Sequence, residues 1–588
     1  MLAGIILVAA LALTGCGRAA HPDADPAPPV SGPDHPPRLG QLRTYATLHS
    51  IGIEWSTEQR GAVRVRFREE GNGNWQEGYP LYRIDYEPPI PRGDGRKDPF
   101  NGFAGSVMFL EPGQAYEVWL TLTDESGNLV DEGVVRVSTR TEPSIPEGAP
   151  RYHVVPGNGG GTGTEDDPYR GIAEAQDHAQ PGDVFLLHAG EYQGFKNGEI
   201  FLSKPGEEGR WIVWKAAEDG VVFTDMVRVA ASYIWIEGVH LRGDPNVEKQ
   251  YGIKAYYGLQ KRVVIKKNLL TDFYHGIEVY KGEGWVITDN VIVGDKDLRE
   301  CLGPDDEEIH DDNGCPAVTY TGEGIELFWT PGHTVAYNDI SLTGDGISYP
   351  LENVDIFGNE IHDTTDDGIE GDYGYANVRI WQNRITNARH HGISFQPMNG
   401  GPWYVLRNQV ATVRESAMKV KAPLTRALVA HNLFLGWKNV ITAQGYLGMQ
   451  VLDSLNNVYV SVDGRYIWEH YKDQGIVSTL DYDGFDWGGA PRAFQFGIHR
   501  YVDLAELQAD KNVELHGVVF DRNDCFETWN PKRPPEQVPL EYLSLKAGCP
   551  LVDAGTPLPN VGGAYSGSAP DLGPYERGQP LPHYGPRP

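Results

Sequence analysis

GISYPLENVDIFGNEIHDTTDDGIEGDYGYANVRIWQNRITNARHHGIS, residues 346–394, carries one signal three times. A Gly-Ile step stands at Gly346-Ile347, Gly368-Ile369 and Gly392-Ile393. An Asn followed two residues later by an apolar side chain stands at Asn359 and Asn383, in step with it. Outward from this stretch the Gly-Ile (or Ala-Met) step continues at Gly252-Ile253, Gly276-Ile277, Gly324-Ile325 and Ala417-Met418, at intervals of 24, 48, 22, 22, 24 and 25 residues. The Asn series reads 268, 290, 338, 359, 383, 408, 432 and 457, and its doubled interval falls at the same place. Two independent markers sharing one period of 21 to 25 define a solenoid of β-coils. The Ile column must point inward, and the Asn column is expected to form a hydrogen-bonded ladder at a turn.

The chain ahead of the solenoid is modular, as 588 residues exceed what one core organises. Residues 1–15 are an apolar run too short for a stable bilayer span, closed by Leu13-Thr14-Gly15-Cys16. This resembles the bacterial lipobox, which implies that Cys16 is lipidated and that the Pro/Ala/Asp-rich stretch 16–39 is a disordered tether. The expected location is then the bacterial cell envelope, outer membrane or cell surface, with membrane contact only through the lipid. From 40 to 142, alternating segments such as AVRVRFR and YEVWLTLTD predict a small β-sandwich. Leu110-Glu111-Pro112-Gly113-Gln114-Ala115-Tyr116 resembles the corner of a fibronectin type III domain. After a Pro-rich linker, YHVVPGNGGGTGTEDDPYRGIAEAQDHAQPGDVFLLHAGEY resembles the opening segment of parallel β-helix proteins. A helix beginning near Pro168 would cover the open end of the stack. The fold expected is all-β: a right-handed parallel β-helix over 151–480 behind the sandwich, with a C-terminal extension, 481–588, packed on it and one helical stretch at Val502 to Ala509.

Fifty basic against 81 acidic residues give a net charge of −31, which excludes nucleic acid as a partner. Apart from Cys16, the cysteines are Cys301, Cys315, Cys525 and Cys549, and pairing 301 with 315 and 525 with 549 is the simplest of three connectivities. Between the first two lies the acidic run 305–312, readable as a braced lip, a Ca²⁺ loop or a solvated loop.

If Ile points inward, alternation turns the next residue outward: Lys254, Glu278, Glu326, Ser348, Glu370, Ser394 and Lys419. A second outward column would be Tyr256, Tyr280, Phe328, Pro350, Asp372, Gln396 and Lys421, in which Tyr280 and Phe328 offer faces to sugar rings. Before the Gly step lie His275, Glu323, Asp345, Asp367, His391 and Ser416, with Asp366, His390 and Glu415 one residue earlier. Carboxylates stacked at ~4.8 Å repel one another unless protonated, metal-bound or facing cations, so this strip is the candidate active site.

Thr343-Gly344-Asp345-Gly346, Thr365-Asp366-Asp367-Gly368, His390-His391-Gly392 and Lys419-Val420-Lys421 resemble the motif order of the polygalacturonase family. The resemblance implies Asp345, Asp366 and Asp367 as catalytic acids, His391 as supporting histidine, and Lys419 with Lys421 as the cations that hold a uronate. His390 and Gln396 would contact substrate. The sequence departs from the family at Thr343, Thr365 and Lys419, where an Asn, a Gly and an Arg are usual. Glu370 and Asp372 form a competing pair, ~6.6 Å apart by strand rise, near the spacing of an inverting glycosidase. The hydrolytic reading needs no cofactor. In the alternative, a polysaccharide lyase, Glu326, Glu370 and Asp372 would hold Ca²⁺ and Lys419 or Lys421, with a depressed pKa, would remove a proton. A non-catalytic glycan-binding adhesin is the third reading. In each case the partner is a polysaccharide and the chain is expected to be a monomer.

Overall fold

The computed structural model describes residues 33, 35–85, 100–244, 247, 249–298, 321–396, 400–421, 426–444, 452–462, 464–471, 473, 478–529 and 543–588. The signal segment, Cys16, the tether through residue 32, Cys301, Cys315 and the run 305–312 lie outside the described residues.

The N-terminal module is a sandwich of two four-stranded antiparallel sheets. One orders Gln41–Ala46, Ile51–Ser56, Asn101–Val107 and Tyr82–Asp85; the other orders Gln76–Glu77, Ala62–Glu69, Ala115–Thr123 and Leu129–Ser138. The inward alternates Ile51, Ile53, Trp55, Val63, Val65, Phe103, Val118 and Leu120 fill its core. At the Pro112-Gly113 turn the Glu111 backbone N–H donates to the Tyr116 hydroxyl at 2.9 Å, which pins the corner.

From Arg151 the chain winds into a right-handed parallel β-helix with three sheets of 14, 13 and 13 strands. Ile253, Ile277, Ile325, Ile347, Ile369, Ile393 and Met418 pair in register along the third sheet and are fully buried. The doubled interval is not a missing coil. Ile277 pairs directly with Ile325 and Val293 with Ser341, so one coil carries an insertion between them.

The Asn column forms an unbroken ladder. Each Asn from 268 to 432 donates its side-chain amide to the Oδ1 of the next at 2.9–3.0 Å, and that same oxygen accepts the backbone N–H of the residue below at 2.9–3.1 Å. Asn457 ends the series on the carboxyl of Asp483. Every buried donor and acceptor in the column is thereby used.

Stacking continues beyond the expected end at 480: Leu480–Asp481, Gly484–Asp486, Phe494–Phe496 and Val518–Val519 all join solenoid sheets. The boundary was obscured because the inward column becomes Trp468 and Phe494 and the ladder residue becomes Asp483, so neither marker persists. Helix Ile172–His178 starts four residues later than expected and buries Ile172 and Ala175 over the first coil. Helix Leu504–Lys511 buries Leu504 and Leu507 over the last, where the Asp503 carboxylate accepts the Glu506 backbone N–H and the Glu506 carboxylate accepts the Val502 backbone N–H. Segment 543–588 runs back along the second sheet, held by Leu551 and Leu572, by Tyr575 on Gln409, and by an Arg587–Asp289 ion pair at 2.8 Å. Cys525 and Cys549 form a disulfide.

The sandwich docks on the first sheet through a polar knot rather than hanging from its linker. Arg379 and Asp355, both fully buried, pair at 2.5 Å, and Thr47 and Ser106 of the sandwich hydrogen-bond to them. Ile84, Phe100 and Ala104 pack on Leu351, Tyr375 and Ala376, with Trp329 against the same cluster.

Candidate functional site

The third sheet positions the strip. Its outward column runs Lys254, Glu278, Glu326, Ser348, Glu370, Ser394, Lys419, in register. From Glu326 onward a small Ser, Ser348 and then Ser394, separates Glu326, Glu370 and Lys419 and leaves room for those side chains to lean together. The second outward column does not form. The strand at Ile369–Glu370 is two residues long, and register shifts between Glu326 and Thr330. Phe328, Trp329, Tyr349 and Tyr373 adopt φ of 46°, 53°, 56° and 59°, so the chain turns out of the sheet where alternation was expected to persist. Pro350 is consequently buried, Lys421 is exposed one residue past its strand, and Gln396 is half-buried after His391–Phe395. Tyr280 and Phe328 do meet, edge to face at 4.9 Å.

The acids gather as the motif order implied. Asp345, Asp366 and Asp367 each offer an oxygen within 4.8 Å of the others. Asp345 Oδ1 accepts the Asp367 backbone N–H at 2.9 Å. Asp367 faces His391 Nδ1 at 2.8 Å, accepts the His391 backbone N–H at 3.0 Å, and receives Lys419 Nζ at 3.4 Å. Asp366 pairs with His390 at 3.1 Å. Asp345, Asp367 and Asp372 are buried, whereas Asp366, Glu370, His390, His391 and Lys419 keep partial access to solvent.

Their charge states diverge. Burial works to neutralise Asp367, yet Lys419 and His391 hold it well below the usual carboxylate range. Burial drives His391 down to about 4, against the opposing pull of Asp367. Burial, reinforced by Asp367 and Asp366, pushes Glu370 up to about 7. Asp372 rises to about 9 through burial and its hydrogen-bonded neighbour Glu370. Asp345 is raised by burial and then by Glu370 and the two aspartates. Asp366 is raised by burial and Asp367, with His390 opposing. Tyr349, set against Glu370, is raised by burial and then by that carboxylate. Trp329 Nε1 donates to the Asp372 carbonyl at 3.0 Å and so ties this wall to the sandwich contact.

Three expectations are corrected by this geometry. Glu370 and Asp372 do not stand two apart on one strand, because the strand ends at Glu370 and Asp372 lies buried beyond it. Lys419 is not a depressed-pKa base: although burial lowers it, Asp367, Asp366, Asp372 and Glu370 more than compensate and keep it protonated. Glu326 does not join Glu370 and Asp372 as a metal trio. It lies two coils away, ~9.6 Å by strand spacing, beside His275 at 3.7 Å and within reach of Glu323. Its carboxyl is pushed up to about 9 by burial, then by Glu323 and Glu278. Tyr349 and Trp329 were not singled out from sequence, since nothing in the period marks a residue that turns out of its strand.

A family profile described as a right-handed β-helix region matches residues 228–414, which include the strip from Lys254 to Ser394. The chain is similar in structure to XylC in complex with xylose, at 12% identity and TM-score 0.44, over 65% of this chain and 88% of that one. It is similar to pectate lyase Pel9A at 16% identity and TM-score 0.32, over 74% and 97%. A third likeness is to the Yersinia enterocolitica family 28 exopolygalacturonase at 11% identity and TM-score 0.27, over 78% and 98%. No curated protein sequence matches the chain. The profile, the three sheets and the ladder together define a right-handed parallel β-helix protein.

Proposed function

We propose that this chain is an extracytoplasmic polysaccharide-degrading enzyme that cleaves glycosidic bonds by carboxylate acid/base chemistry. The observation that carries the reading is the split in charge along one strip. Asp367 is held ionised, while Glu370, which keeps partial access to solvent, holds its proton up to about pH 7. In this reading Glu370 protonates the leaving oxygen, and Asp366, whose partner His390 favours the ionised form, serves as the second carboxylate. Asp367 is a positioning residue that fixes His391 and Lys419, and Lys419 presents a permanent cation to an acidic or hydroxyl-rich sugar. Tyr280 and Phe328 supply a ring-stacking surface beyond the acids. A lipid on Cys16 would hold the enzyme at the cell envelope.

One observation favours a Ca²⁺-dependent lyase as the second reading: the Asp345, Asp366 and Asp367 oxygens converge closely enough to hold Ca²⁺, which would neutralise a substrate carboxylate. Incubation with a panel of polysaccharides, with and without chelator, separates the readings. Hydrolysis gives new reducing ends without ultraviolet absorbance. Chelator-sensitive ultraviolet-absorbing products would replace the hydrolase with the lyase, and glycan binding without turnover would leave an adhesin. The anchor is tested by Cys16→Ser, which should move the protein from membrane to soluble fractions.

A further inference from the structure

Two coils before the reactive acids, the same sheet gathers a second set of ionisable groups that the proposed chemistry does not use. His275 Nδ1 lies 2.6 Å from Glu323 Oε2 and 3.7 Å from Glu326 Oε2. All three residues are more than nine-tenths buried. The neighbouring charges are already matched, as Lys254 pairs with Glu278 at 2.8 Å. Two buried carboxylates therefore share one imidazole. The close contact is not a hydrogen bond either: Glu323 Oε2 is buried without one, and His275 Nδ1 is also approached by the Glu323 backbone N–H at 3.4 Å. A buried carboxylate oxygen without a hydrogen bond, set with a second carboxylate and an imidazole nitrogen so that all three ligand atoms lie within 4.8 Å of one another, is the arrangement a cation resolves.

We propose that His275, Glu323 and Glu326 form a binding site for a divalent transition metal, Zn²⁺ in the first instance. The donor chemistry selects the class: an imidazole nitrogen disfavours Ca²⁺ and Mg²⁺, and one nitrogen with two carboxylate oxygens suits Zn²⁺ with an open fourth position. Tetrahedral ligands at the usual Zn–N and Zn–O lengths stand ~3.3 Å apart, so the ion requires the 2.6 Å His275–Glu323 contact to open and the 3.7 Å His275–Glu326 separation to close by a few tenths of an ångström each. The imidazole is pre-oriented, because Tyr251 stacks on it at 4.6 Å with 6° between the planes, and Lys254 Nζ caps the far face of that Tyr at 3.6 Å. Through Glu326 the site sits on the column that leads through Ser348 to Glu370.

The test is metal content, which is independent of any activity. Full-length protein dialysed against Zn²⁺ and then metal-free buffer, and measured by elemental mass spectrometry, should retain one equivalent. His275→Ala and Glu326→Gln should each retain less than a tenth of that, while Asp367→Asn retains it in full. Circular dichroism melts establish that each variant is folded, and if His275→Ala is not, His275→Gln takes its place. As a second readout, Co²⁺ bound to the wild-type chain should give a visible d–d absorption that Zn²⁺ displaces. Retention of Zn²⁺ by folded His275 and Glu326 variants, or its absence from the wild type, would overturn the proposal. Loss in Asp367→Asn alone would move the metal to the Asp345–Asp366–Asp367 cluster.

Discussion

Two columns of polar side chains repeat once per coil, and they behave in opposite ways. The Asn ladder from Asn268 to Asn457 stacks one residue type that is both donor and acceptor, so each rung satisfies the next. The strip on the third sheet stacks Glu326, Glu370 and Lys419 with Asp345, Asp366 and Asp367 alongside, and no rung matches its neighbour. Ionised carboxylates can only accept hydrogen bonds, so crowding them raises their pKa values, except at Asp367, where Lys419 and His391 hold it down. A repeated self-complementary residue builds structure; a repeated residue that cannot satisfy itself stores reactivity.

The comparison breaks first at the acids. Glu370→Gln should lower turnover on the responsive polysaccharide by ~10²–10⁴ while the protein folds normally. In the wild type, activity should decline as pH rises through about 7, because the proton on Glu370 is lost there. Initial rates across pH check both, and an unchanged rate in the variant would place the chemistry elsewhere. Asp367→Asn should also cost activity heavily, and it should lower the His391 titration midpoint, because the carboxylate that favours the charged ring is gone, which NMR titration of the imidazole follows.

The ladder should respond in the other currency. Asn359→Leu strips the acceptor used by Asn338 and the donor used by Val335 and Asn383, at about 1–3 kcal/mol for each buried group left unpaired. Denaturant melts should show the loss, with activity per folded molecule unchanged. The smallest effect sharpens the contrast in pH. A carboxyl whose folded pKa is raised contributes its full stability below the unfolded pKa and loses it as pH rises through the folded value. Glu370 and Asp372 should therefore make the wild type less stable as pH climbs from about 4.5 toward about 9. Asp372→Asn, which removes one of the two, should flatten that decline in melts at pH 5 and pH 9.

Much of this was legible in one dimension. The 21–25-residue period, the inward Ile column, the Asn ladder and the register of the first outward column follow from sequence because a solenoid contacts itself only between neighbouring coils. The gathering of Asp345, Asp366, Asp367 and His391 follows for the same reason, each lying at a fixed offset from a Gly-Ile step. What the period does not encode, only the tertiary structure decided. The strand stops at Glu370, which takes Asp372 off the outer face and against its neighbour. Glu326 turns toward His275 and Glu323 rather than down the column. Lys419 stays protonated because four carboxylates surround it, and the sandwich packs on Leu351 and Tyr375 of the solenoid. These depend on side-chain direction, burial and contacts between segments hundreds of residues apart, where local spacing has no hold and the summed field and packing of the folded chain decide.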